Sequence, residues 1–179
     1  MDSQESGSSK REIGNPDVAR ILDRIADLLE FKNEIFFKVR SYRTASAAIS
    51  DLDRPVVEAV AEGGAAELQK IPGIGKGISA QIVEIVNTGA STYFDELTRD
   101  VPASVLDLRR VSGIGLKTAQ TLFSDFGIKS LAELKTFADG GGLLSVPGVG
   151  QKTVDRIKRS IARIESEGQA KSSTTADQG

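Results

Sequence analysis

Ile71-Pro72-Gly73-Ile74-Gly75, Val111-Ser112-Gly113-Ile114-Gly115 and Val146-Pro147-Gly148-Val149-Gly150 are three copies of one pattern, each running straight into a helix-forming segment. Every copy reads aliphatic, Pro or Ser, Gly, aliphatic, Gly. The two glycines are expected to supply backbone angles that side chains forbid and to let another backbone come close, while the aliphatics plug the turn into a core. A helix that starts directly after the second glycine points its unpaired N–H groups and the positive end of its dipole outward at the turn. Such a corner suits an anionic oxygen.

The match extends into the helix that follows. Lys76 and Gly77, then Lys117 and Thr118, then Lys152 and Thr153 fall in the first turn, with Ile78, Ala119 and Val154 behind them. A lysine there opposes the helix dipole. Its repetition is explained by a polyanion, because the ammonium adds charge to phosphate oxygens already held by backbone N–H groups, and the hydroxyls of Thr118 and Thr153 add hydrogen bonds. Nothing in this set reads base edges, so the expected binding is independent of sequence and sensitive to salt. A single Gly-x-Gly turn is equally well explained as a tight helical corner, and a dinucleotide-binding reading needs a preceding strand that is missing here.

Outward from the repeats the periodicity is helical throughout, with no alternation of period two. Asn15-Pro16 reads as an N-cap and first turn before Val18, Ile21, Leu22, Ile25, Leu28 and Leu29; Phe36, Tyr42, Ala45, Ala48, Ile49 and Leu52 form the inward face of a second helix. A third opens at Pro55 and ends at Gly63-Gly64, and Gly89 and Gly127 stop the helices after the first two repeats. The expectation is an all-α protein of two small helical domains, 14–89 and 91–165, between polar, flexible tails at 1–13 and 166–179.

The 179 residues include no cysteine and no histidine, which argues against a disulfide framework, zinc sites and triad catalysis. No apolar run approaches a membrane span, so an intracellular, cytoplasmic and nucleoid-associated protein is the default. The net charge of −2 hides an asymmetry: residues 14–106 carry 10 Lys or Arg against 14 Asp or Glu, and residues 107–165 carry 10 against 6. The basic surplus thus lies with the second and third repeats. Asp23, Asp27, Glu30 and Glu34, at helical spacing near Arg20 and Arg24, read as surface ion pairs rather than a metal site.

The order Asn15-Pro16-Asp17, Phe37 to Ala45 (FKVRSYRTA), Ile71 to Gly75, Thr88-Gly89, Val111 to Gly115 and Val146 to Gly150 resembles the amino-terminal part of bacterial family X DNA polymerases, and the three repeats resemble helix-hairpin-helix motifs. The resemblance implies a lyase-type domain followed by a helix-hairpin-helix fingers or thumb domain that grips gapped or nicked DNA in base excision repair. It implies a 5′-phosphate held near Lys38, Tyr42 and Arg43, although Tyr42 reads first as a packed aromatic at the core edge. It also implies a Na+ or K+ ion on the carbonyls of Ile71 and Ile74 and of Arg109, Val111 and Ile114, with no other cofactor. No polymerase palm follows residue 165, so no polymerisation is expected of this chain. The family's lyase nucleophile falls on Gln81, whose amide cannot form an imine, and two of its phosphate-binding lysines fall on Gly77 and Ala90. A residual lyase using Lys38 or Lys76, and an adaptor whose hairpins pack against a polymerase core or other repair protein, stand as alternatives.

Overall fold

A computed structural model describes residues 12–175, and all regular structure within them is helical. The α-helices are α1 (Asn15–Phe31), α2 (Phe36–Ser50), α3 (Val56–Leu68), α4 (Lys76–Thr88), α5 (Thr92–Asp100), α6 (Leu116–Phe126), α7 (Leu131–Asp139) and α8 (Gln151–Thr175), with 3₁₀ turns at Ala103–Arg110 and Gly142–Ser145. The expected tails at 1–11 and 176–179 lie outside the described residues. The chain divides into two compact units, Met1–Leu97 and Thr98–Gly179. Residues 91–97 therefore go with the first unit, where Tyr93 stacks on Tyr42 and Arg24 lies over the Phe94 ring.

In the first unit α1 packs on α2 and α3 on α4, with α4 also touching α1. Leu22, Ile25, Leu28 and Leu29 of α1, Ile49 of α2 and Ile82 and Ile85 of α4 are fully buried. Each such side chain stabilises the fold by roughly 1.5–3 kcal/mol relative to exposure. Asn15 does not cap α1. Gly14 is the N-cap residue, its N–H held by Asp17, while the Asn15 side chain reaches across to α3, accepting from Val56 N at 2.7 Å and donating to Arg54 O at 2.9 Å. α3 leaves helical geometry at Gly64 (φ 58°, ψ −137°), where the sequence placed its end, then makes one more turn to Leu68 before the first repeat.

Phe36 departs from expectation: it is 71% exposed. The buried face of α2 is Tyr42, Ala45, Ser46 and Ile49. At about 100° per residue Phe36 stands roughly 120° from Tyr42 around the helix, off that face.

In the second unit the 3₁₀ turn 103–110 packs on α6 and α7, and α7 packs on α8. Leu108, Leu122, Leu134, Leu143 and Ile157 form its core. α8 continues well past the expected end at 165, so residues 166–175 are helical rather than a tail. Gly89 and Gly127 end α4 and α6 in the left-handed conformation (φ 81° and 68°), as helix-stopping glycines do.

Candidate nucleic-acid interface

All three repeats adopt one hairpin geometry. The first aliphatic carbonyl accepts the N–H of the second aliphatic, Ile74 N to Ile71 O at 3.1 Å, Ile114 N to Val111 O at 3.0 Å and Val149 N to Val146 O at 3.1 Å. The first glycine lies at φ 93° in Gly73, 102° in Gly113 and 79° in Gly148, values that favour glycine. Ile74, Ile114 and Val149 are buried, as plugs should be.

The second glycine behaves differently, which corrects the expectation that both supply unusual angles. Gly75 (φ −89°, ψ 175°) and Gly115 (φ −90°, ψ −177°) are extended, and Gly150 is not at positive φ. A Cβ built on any of the three meets nothing within 4 Å. Neither backbone angle nor internal packing calls for glycine there. What its absence of a side chain leaves is a bare ledge of main chain, open to a ligand, at the start of a helix.

The helix ends at these ledges have donors to offer. No side chain caps α4 or α6, and the first intrahelical bonds run from Ser79 N to Gly75 O and from Ala119 N to Gly115 O, both 2.9 Å. In α8 Val154 N reaches Gly150 O at 3.0 Å. The N–H groups ahead of the Ser79 and Ala119 donors have no partner inside their helices. Lys76, Lys117 and Lys152 are exposed beside them, and among the described residues their ammonium groups make no ion pair or hydrogen bond. Thr118 and Thr153 are half-buried, and the Thr153 methyl faces Gly113. The carbonyls of Ile71 and Val111 each keep a lone pair beyond the one used in the turn.

The basic residues expected at a 5′-phosphate are paired with carboxylates of the first unit. Arg43 bonds Asp27 Oδ1 at 2.5 Å and lies 3.5 Å from Asp23 and 3.7 Å from Glu30. Burial is the largest single influence and pulls its pKa down, but the Asp27 hydrogen bond and the charges of Asp27, Asp23 and Glu30 together outweigh it and raise the pKa. The acidic face of α1 is thus an ion-pair surface with Arg43 as its cation. Lys38 pairs with Glu34 at 3.7 Å and sits 5.5 Å from the Tyr93 ring centroid. Its pKa is raised, first by approach to the Tyr93 hydroxyl and then by Glu34, against weak burial. That approach falls short of hydrogen-bond geometry, so Tyr93 Oη stays buried without a partner.

Tyr42 is 5% exposed and buried in the unit, so it offers no stacking face. Its hydroxyl accepts from Gln81 Nε2 at 2.7 Å, and its ring stacks on Tyr93 with centroids 6.0 Å apart. Burial raises the Tyr42 pKa, partly offset by the Gln81 bond. The amide at position 81 is therefore a packing and hydrogen-bonding group, and Lys38 is held as an ammonium ion, the wrong state for imine chemistry. Sequence reading missed the exposed aromatics Phe36 and Phe37, 71% and 75% accessible and edge-on to each other with centroids 6.5 Å apart. Their angular offset from the apolar face of α2 was the available signal.

The family described as "Helix-hairpin-helix domain" matches residues 13–91, and that described as "SAM-like Helix-hairpin-helix tandem" matches residues 105–163. Both units are therefore built on helix-hairpin-helix domains. Over 145 residues the chain is 28% identical to the DNA polymerase/3′-5′ exonuclease PolX of Bacillus subtilis (strain 168), covering 81% of this chain and 24% of that protein. Over 87 residues it is 31% identical to the Holliday junction branch migration complex subunit RuvA of Albidiferax ferrireducens and 30% identical to that of Acidovorax sp. (strain JS42), in both cases 49% of this chain and 46% of the relative. The chain thus spans about a quarter of the first relative and less than half of the others. Among the described residues no helix is long and apolar enough to cross a membrane.

Proposed function

We propose that this chain is a sequence-independent DNA-binding module that grips the sugar-phosphate backbone with three hairpins. The observation that carries this reading is the open second glycine of each repeat beside an unpaired lysine, with no side chain capping α4 or α6. Each hairpin then holds a phosphate with two kinds of group, neutral backbone donors that fix its position and a lysine that adds charge. A Na+ or K+ ion would be held by the carbonyls of Ile71 and Ile74, or of Arg109, Val111 and Ile114, because an all-oxygen backbone donor set suits a hard cation; it would supply positive charge to a bound phosphate.

The finer reading is a preference for gapped or nicked DNA in repair. Similarity to PolX over most of the chain supports it, and exposed Phe36 and Phe37 give a surface on which an unpaired base can stack. Anisotropy with a short-gapped duplex carrying or lacking its 5′-phosphate, and with intact duplex, at two salt concentrations, tests both levels. Tighter binding to the phosphorylated gap supports the repair reading. Equal, salt-sensitive binding to all three leaves the backbone grip alone, and no binding removes both and favours an adaptor. The lyase alternative predicts a borohydride-trapped complex that disappears in a Lys38 or Lys76 variant, and absence of trapping disposes of it.

A further inference from the structure

The second repeat differs from its sisters in carrying Ser112 where they carry Pro72 and Pro147. Proline has no N–H. Ser112 has one, and it donates to Ser160 Oγ of α8 at 2.9 Å, a hydroxyl on a residue that is 5% exposed. The second hairpin is docked on α8 by this bond and by Gly113, whose Cβ position lies 3.2–3.5 Å from Ile157, Arg156 and Thr153. Above the joint opens a hollow of about 290 Å³ lined by Ser112, Ser160, Arg156, Arg159 and Arg163.

With Lys152, the arginines follow at i+4, i+7 and i+11 along α8. At about 100° per residue all four fall within an arc of roughly 60°, a stripe about 16 Å long. The nearby carboxylates do not cancel it. Asp155 takes a hydrogen bond from Gln151, while Arg159 Nε donates to the Asp155 main-chain oxygen at 3.2 Å. Arg163 lies 3.9 Å from Glu167, both well exposed, a pair of little energetic weight. Arg156 makes no ion pair or hydrogen bond among the described residues.

We infer that this hollow is a second backbone-phosphate site, in which the arginines of α8 take phosphate groups of the strand whose neighbours lie on the hairpin ledges. The inference rests on the DNA-binding reading. It extends the footprint from the glycine turns to the side of a helix, and guanidinium forks suit phosphate oxygens. It also gives Ser112 a purpose: it locks the hairpin to the helix so that ledge and stripe present a fixed spacing.

The test compares three variants of the full chain on one intact duplex across a salt series, with melting curves to verify folding. Arg156→Ala/Arg159→Ala/Arg163→Ala is expected to lower the magnitude of the log K against log[salt] slope by about two, at roughly 0.9 for each phosphate no longer neutralised. Lys129→Ala/Lys158→Ala, which removes charge from the same unit but not the stripe, is expected to change the slope by less than half as much. Lys117→Glu reports on the hairpins independently. A weakened Lys117→Glu variant beside a triple-arginine variant with the wild-type slope overturns the inference and leaves the hairpin reading standing. Absence of binding by the unaltered chain overturns both. Arginine Nε–H NMR signals of the three residues are expected to shift on adding duplex; an equal shift with inorganic phosphate at matched ionic strength would mark a free-anion site and overturn the backbone assignment.

Discussion

Two sets of cations in this molecule have been put to opposite uses. On the α1–α2 surface Arg43 faces Asp23, Asp27 and Glu30, and Lys38 faces Glu34 and Tyr93. At the hairpins Lys76, Lys117 and Lys152 stand exposed beside uncovered backbone, with no carboxylate against them among the described residues. The first set is engaged inside the fold, and the second is available. Charge counted along the chain does not separate them. What separates them is whether a carboxylate lies within reach, a property of helix packing.

The strongest attempt to break this comparison reverses the available set. Lys76→Glu/Lys117→Glu/Lys152→Glu is expected to weaken duplex binding on the order of a hundredfold or more near 0.1 M salt, because three phosphate attractions become repulsions. Thermal stability should hold or rise slightly, because a carboxylate in the first turn of a helix suits the dipole that the lysine opposes. A large fall in melting temperature with binding retained would show that the lysines serve the fold.

The glycines of one repeat sharpen the contrast between fold and ledge. Gly113→Ala places a Cβ 3.2 Å from Ile157 at φ 102° and should cost about 1–3 kcal/mol of stability. Gly115→Ala meets nothing and has an ordinary φ. It should cost only about 0.5 kcal/mol, from the N-cap preference for glycine over alanine, and weaken DNA binding roughly tenfold by holding the phosphate off the backbone. Equal binding by the Gly115 variant and the unaltered chain would remove the ledge from this scheme.

For the engaged set the pattern is inverted. Arg43→Ala should lower the stability of the first unit by about 1 kcal/mol, a modest figure because the network is partly exposed, and leave duplex affinity within about twofold. A selective loss of affinity would return Arg43 to the interface. The smallest effect is alkaline. Lys38 and Tyr42 have folded pKa values raised from 10.5 and 10.0, so both bind their protons more tightly in the fold. Their contribution is fully present below about pH 10 and is lost as pH rises through the raised values. Lys38→Met should flatten part of that alkaline decline in a chemical-denaturation series.

Much of this was legible in the sequence because it is local. The three repeats, the glycine stops at Gly89 and Gly127 and the aliphatic plugs follow from spacing and backbone chemistry. What escaped depends on partners distant in the chain. Asn15 looks like a helix cap until Val56 at the start of α3 and Arg54 just before it supply partners, and Phe36 looks inward until Tyr42, Ala45 and Ile49 fix which face of α2 is covered. Residues 166–175 read as tail because their sequence offers almost no apolar side chain to bury, yet they extend a helix already nucleated by packing at Val154, Ile157 and Ile161. At the hairpins the pattern shows two glycines but not that one is needed for its angle and the other for its emptiness. The α8 stripe went unread because its arginines gain meaning only beside Ser112 and Ser160.

The central claim is that the hairpins hold backbone phosphates without reading bases. Its most direct test is the salt dependence of affinity for two intact duplexes of unrelated sequence. The predicted result is the same Kd for both and a common log K against log[salt] slope of about −3 to −5, from one phosphate at each hairpin and up to two on α8. Affinities that differ tenfold between the sequences, or a slope near zero, would contradict it.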